Sequence, residues 1–126
     1  MISTDKLNER VVSLGKRRGA ICMSEKERFE MALKDIQEMT GFSVEALTGR
    51  GRPDDLSMAR FCLYICLVRL GFTYSSAGRW CKRDHVAVRH GVLRLESVRD
   101  LAGVNDAWVI QAQQRLKYLR DKGYRV

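Results

Sequence analysis

Hydrophobic positions recur along this chain at intervals of three and four, the spacing of one face of an α-helix. Leu7, Val11 and Leu14 form the first such stripe, which Ser3 or Thr4 can cap and Lys16-Arg17-Arg18-Gly19 can end. Ser24-Glu25-Lys26-Glu27 is a capping-box pattern, in which the Ser24 hydroxyl serves the Glu27 amide and Glu27 reaches back. The helix it opens carries Phe29, Ala32, Leu33, Ile36 and Met39 and stops at Thr40-Gly41. Ser43 caps a short turn of helix over residues 44–47. After the loop Gly49-Arg50-Gly51-Arg52-Pro53, Asp54 or Asp55 is expected to cap a strongly apolar helix running to Leu70. Leu56, Ala59, Leu63, Cys66, Leu67 and Leu70 share one broad face of it, with Phe61, Cys62 and Ile65 alongside, so it reads as a central, mostly buried helix. Thr73 can cap a short helix through Trp80, and Asp84 the next, which carries Val88, Gly91, Val92, Leu95 and Val98. Asn105 or Asp106 opens a last helix with Trp108, Val109, Ala112, Leu116 and Leu119. No sustained alternation and no Asn-Gly or Asp-Gly hairpin turn interrupts this pattern. The chain is expected to be all-α.

Length narrows the picture. At 126 residues with 45% apolar positions, one domain with a modest core is expected, and a two-domain nucleotide-binding enzyme is excluded by size. Gly19 to Met23 marks the strongest break, giving an N-terminal helix and hinge over residues 1–23 and a main body over residues 24–126. Leu7, Val11 and Leu14 need a partner surface, which makes the first helix a candidate homodimer element. The longest apolar run, residues 61–68, is far shorter than the ~20 residues of a membrane span, and no signal-type stretch opens the chain. A cytoplasmic protein follows, with Cys22, Cys62, Cys66 and Cys81 reduced.

Charge adds a direction. The formal net charge is +8, yet residues 1–49 balance to zero. Residues 50–94 hold nine basic side chains against three acidic ones, and eight of the nine are arginine. Arginine suits bidentate contact with phosphates and guanine edges, so a polyanion is the natural partner.

The same stretch carries the mechanical parts of a helix-turn-helix. Ala77-Gly78 in the middle of the short helix permits close approach of a second helix, and a tight polar turn leads to Asp84. The second helix then places its N-terminal residues in a major groove, while Val88, Gly91, Leu95 and Val98 anchor it to the core. In this reading Asp84, His85, Val86 and Arg89 face the bases. Arg79, Lys82, Arg83 and Arg94 hold phosphates.

The run Ala77-Gly78-Arg79-Trp80-Cys81-Lys82-Arg83-Asp84-His85-Val86-Ala87-Val88-Arg89-His90-Gly91-Val92-Leu93-Arg94-Leu95 resembles the motif of the C-terminal DNA-binding domain of the bacterial replication initiator DnaA. Arg83-Asp84-His85 is its most specific part. The likeness extends to Met39-Thr40-Gly41-Phe42-Ser43-Val44-Glu45-Ala46-Leu47, to Arg50-Gly51-Arg52 at the basic loop, and to Phe61-Cys62-Leu63-Tyr64-Ile65 in the long helix, covering residues 26–100. It implies a Trp-repressor-like helical domain on double-stranded DNA, with Arg50 and Arg52 in or beside the minor groove. It implies a nucleoid-associated protein serving replication initiation, its regulation, or transcription.

Several residues depart from that family. Val86 and Ala87 stand where it has two hydroxyl residues, and they offer methyl contacts only, for instance to a thymine methyl. Gly91 replaces its alanine, and two arginines followed by Asp54-Asp55 make a thinner basic loop. No Gly-x-x-x-x-Gly-Lys phosphate loop is present, so initiator ATPase activity does not carry over, and neither enzyme activity nor a cofactor is expected. Cys62, Cys66, Cys81 and His85 have the types for a zinc site, but an uninterrupted apolar helix favours Cys62 and Cys66 as core, and no metal is expected. A Cys81/His85 catalytic dyad lacks accompanying pocket residues. Arg60 and Arg69 read as surface charges or phosphate contacts, and Trp80 and Trp108 as helix-docking aromatics. The alternative function is a protein-protein interaction module that kept this scaffold and lost base readout.

Overall fold

The computed structural model describes residues 23–49 and 54–126, with the backbone alone at residues 54 and 55. Among the described residues it is all helix: α1 (Glu25–Thr40), α2 (Val44–Thr48), α3 (Asp54–Arg69), α4 (Tyr74–Cys81), α5 (His85–Val98) and α6 (Ala107–Asp121). The expected first helix, with Leu7, Val11, Leu14 and Cys22, lies outside them.

The caps fall where the polar residues predict. Ser24 and Glu27 make the reciprocal capping box, with the Ser24 hydroxyl accepting from the Glu27 amide at 3.1 Å and Glu27 Oε1 from the Ser24 amide at 2.9 Å. Ser43, Thr73, Asp84 and Asp106 each accept a first-turn amide of the following helix. One boundary differs: α3 begins at Asp54 itself, so Asp54 and Asp55 belong to its first turn. Acidic residues suit that turn, because unpaired amides make the helix start partly positive.

α3 is the centre. Cys62, Leu63, Ile65, Cys66 and Leu67 are fully buried, and α1, α2, α4, α5 and α6 pack around it. α5 lies closest. Gly91 permits this, since a Cβ there would stand 2.6 Å from Phe61 Cδ1 and 2.9 Å from Tyr64 Cδ2. The last residues fold back onto the body, where the Tyr124 hydroxyl donates to buried Asp35 at 2.6 Å.

Arginines tie the helix ends together. Arg28 donates to the Leu70 carbonyl beyond α3 at 2.6 Å, and Arg115 to the Met39 carbonyl near the end of α1 at 2.9 Å. Such carbonyls have no partner within their own helix, so a guanidinium from another element both satisfies and positions them. Arg60 is used in the same way, which corrects its reading as a surface charge or phosphate contact, while Arg69 is engaged in an ion pair at the surface. Buried Arg60 donates to the carbonyls of Ala46, Leu47 and Gly49 at 2.8, 3.3 and 2.8 Å. Arg69 pairs with Glu96 at 2.6 Å and donates to the Arg125 carbonyl at 2.8 Å.

Candidate nucleic-acid interface

α4 and α5 are joined by three residues, Lys82, Arg83 and Asp84. α4 ends because Lys82 turns left-handed, at φ 60° and ψ 45°, and it is the one non-glycine with positive φ among the described residues. The Arg83 amide then donates back to the Gly78 carbonyl at 2.8 Å, closing the turn on the helix that precedes it. Gly78 is needed there, because a Cβ would lie 2.5 Å from the Arg83 carbonyl oxygen. Asp84 starts α5 by accepting from the Val86 amide at 2.9 Å. Its carboxylate also stands 3.2 Å from His85 Nδ1.

The two sides of α5 separate cleanly. Val88, Gly91, Val92, Leu95 and Val98 face α3 and the core. His85, Val86, Arg89, His90, Leu93 and Arg94 are exposed, together with Asp84 at the cap. At 100° per residue, Val86, Arg89 and Leu93 lie near the middle of that outer face. Val86, at 59% exposure, is the most exposed large hydrophobic side chain among the described residues.

The basic residues divide in a way composition alone does not predict. Arg79, Lys82 and Arg89 point outward, and their side chains have no hydrogen-bond or ion-pair partner among the described residues. Exposed Arg94 lies over the Trp108 ring, 4.5 Å from its centroid, which holds the guanidinium at the surface end of α5. Arg83 behaves differently. Its guanidinium turns inward to the carbonyls of Lys82 and Gly49. Arg50 and Arg52 lie outside the described residues. Gly49, the last described residue before them, is held from two sides by Arg60 and Arg83.

Between α3 and the turn lies an open cleft of about 540 Å³. Arg60, Phe61, Tyr64, Lys82, Ala87 and His90 line it. His90 meets Phe61 edge-on at 5.9 Å, so its ring is fixed at the rim of the cleft while remaining exposed. Burial pushes the Tyr64 hydroxyl above its ordinary range.

The cysteines sit apart from this surface. Cys62, Cys66 and Cys81 are free and buried, whereas His85 is exposed at the start of α5. Burial pushes the thiols of Cys62 and Cys81 up to about 12 and that of Cys66 well up. No group of three or more His, Cys, Asp or Glu able to hold a metal ion occurs among the described residues. Trp80 stacks on Phe29 at 5.1 Å and donates from Nε1 to Glu25 at 2.9 Å, docking α4 onto α1.

Two roles differ from the sequence reading. Arg60 anchors Gly49 at the start of the basic loop, and Arg83, expected to hold a phosphate, instead commits its guanidinium to the Gly49 carbonyl and ties that anchor to the turn. The signal for Arg60 was its place as a lone charge in an otherwise apolar stretch. No helix of the described residues is long and apolar enough to cross a membrane. No family model, curated protein or solved structure matches the chain, so the likeness to the DnaA domain rests on its motif residues.

Proposed function

We propose that this protein binds double-stranded DNA, laying the start of α5 in the major groove, on a Trp-repressor-like helix-turn-helix related to the C-terminal domain of DnaA. The observation that carries the reading is the arrangement of α4, the three-residue turn and α5. The turn is closed by backbone hydrogen bonds, α5 is anchored by its inner face, and Asp84, His85, Val86 and Arg89 stand outward on its first turns. An α-helix fits a B-form major groove, and a fixed helix start meets base edges in one geometry.

Lys82 adds a second line of support. A left-handed residue costs about 1–2 kcal/mol unless it is glycine, yet this position holds a lysine whose ammonium is exposed. Glycine would suit the fold better, so the side chain is explained more readily by a phosphate partner. In this reading Arg79, Lys82 and Arg94 hold phosphates, Arg50 and Arg52 reach the minor groove, and Arg83 positions their loop through Gly49. The role is binding without catalysis or cofactor, in replication initiation, its control or transcription.

Selection of bound sequences from random duplex DNA tests the reading, followed by titration of a selected duplex at rising salt. Affinity is expected to fall steeply with salt, with a slope near 0.9 per neutralised phosphate. His85→Ala is expected to weaken the selected duplex more than a random one. Equal loss on both would remove His85 from base readout. Absence of duplex binding at low salt would refute the proposal and leave the exposed Val86 and Leu93 face to a protein partner.

A further inference from the structure

We infer that α5 reads a pyrimidine C5-methyl group in the major groove, and that Val86 is the residue that reads it. The inference rests on the duplex-binding reading above and adds the base feature recognised.

Val86 sits on the first turn of α5, 59% exposed, with exposed Arg89 and His90 one turn further along the same face. The fold gives no reason for it. A valine on the surface removes little apolar area from water, and β-branched residues are mediocre helix formers. Its presentation, by contrast, is well defined. The Asp84 carboxylate holds the Val86 amide at 2.9 Å, and a β-branched side chain in a helix has essentially one χ1 rotamer. The two methyl groups therefore point outward from a fixed backbone, with little freedom left to lose on binding.

Major-groove chemistry then limits what they can meet. Guanine, adenine and cytosine present hydrogen-bond acceptors or donors there, and thymine presents a methyl group beside its acceptor. Valine can neither donate nor accept, so a purine edge or a cytosine amino group beneath it loses water without gaining a partner. A C5-methyl group gains apolar contact instead. Ala87, which follows, is half-buried in the cleft wall, so the contact falls to Val86.

The test uses a duplex selected from a random pool by the full chain, remade with uracil for thymine one position at a time. Uracil differs from thymine only by the missing methyl. One such change is expected to weaken binding about fourfold, the value of a single buried methyl group. In Val86→Ala the same change is expected to matter less than twofold, while the melting midpoint stays within a few degrees of the parent. Cytosine at that position should bind weakly and 5-methylcytosine about fourfold better, which shows whether the methyl group or the whole thymine edge is read. If a selected duplex binds tightly and no uracil replacement weakens it, methyl reading is overturned while duplex binding stands. A uracil effect unchanged in Val86→Ala overturns the assignment to Val86, and a 5-methylcytosine duplex no better than cytosine overturns the methyl group as the shared feature. If no duplex binds even at low salt, the duplex reading itself fails, and this inference with it.

Discussion

Replacing Gly78 with alanine sets two opposing effects against each other at the centre of the proposed interface. Alanine is favoured over glycine inside a helix by about 1 kcal/mol, so on propensity alone the protein would gain stability. The new Cβ, however, would lie 2.5 Å from the Arg83 carbonyl oxygen and 3.4 Å from Asp84 C and His85 N. Those are backbone atoms of the turn and cannot rotate aside. The turn and the start of α5 must move outward by several tenths of an ångström, against the Arg83-to-Gly78 hydrogen bond and the packing of Val88 and Gly91 on α3. Overpacking of this kind costs about 1–3 kcal/mol, and the 2.5 Å contact puts it at the upper end. The balance is a loss of about 1–2 kcal/mol, equivalent to a melting midpoint about 4–8 °C lower for a domain of this size. Ser75→Ala, an exposed position of the same helix, isolates the propensity effect and is expected to be neutral or slightly stabilising. Thermal melting by circular dichroism reads both, and anisotropy with a labelled duplex reads whether the displaced α5 still binds. A Gly78→Ala protein as stable as Ser75→Ala would refute the close approach of α4 to the turn.

Lys82→Gly should separate fold from function: the melting midpoint rises by several degrees as the left-handed cost of about 1 kcal/mol disappears, while duplex affinity falls and the salt slope drops by about one. Arg60→Ala removes three charge-assisted hydrogen bonds to the carbonyls of Ala46, Leu47 and Gly49, and is expected to lower stability by about 2–4 kcal/mol with faster amide exchange in α2. Stability should also fall as pH rises through about 9 toward 12. The buried thiols of Cys62, Cys66 and Cys81 stay protonated in the folded state, while the unfolded chain ionises them near 9, so high pH favours unfolding. Consistent with that sign, an alkylating reagent at about pH 8.5 should leave these three unmodified in the native protein and modify them in denaturant, as mass spectrometry of the digested protein will read.

What the sequence made legible was local. Ser24, Ser43, Thr73, Asp84 and Asp106 act within three residues of themselves, so polar spacing alone locates the helix starts. The inner face of α5 followed from its 3.6-residue period, and the outward placement of His85, Val86 and Arg89 followed with it. What stayed hidden depends on distant partners. Arg79 and Arg83 lie four residues apart and read alike as basic residues, yet one points to solvent and the other to the carbonyl of Gly49 across the turn. Arg60 and Asp35 are charges on otherwise apolar faces, a hint of burial, but their partners come from residues 11–14 and 89 positions away. The left-handed Lys82 was also hidden, because lysine carries none of the glycine signal that marks such a turn.

Amide chemical shifts of isotopically labelled protein, followed while a selected duplex is added at low salt, test the central claim most directly. The largest changes should fall on Arg79, on Lys82 through Arg89 and on Arg94, with α1 and the C-terminal half of α6 nearly unmoved. Changes centred on α1 or α6, or no change at all, would contradict a duplex-reading helix at α5.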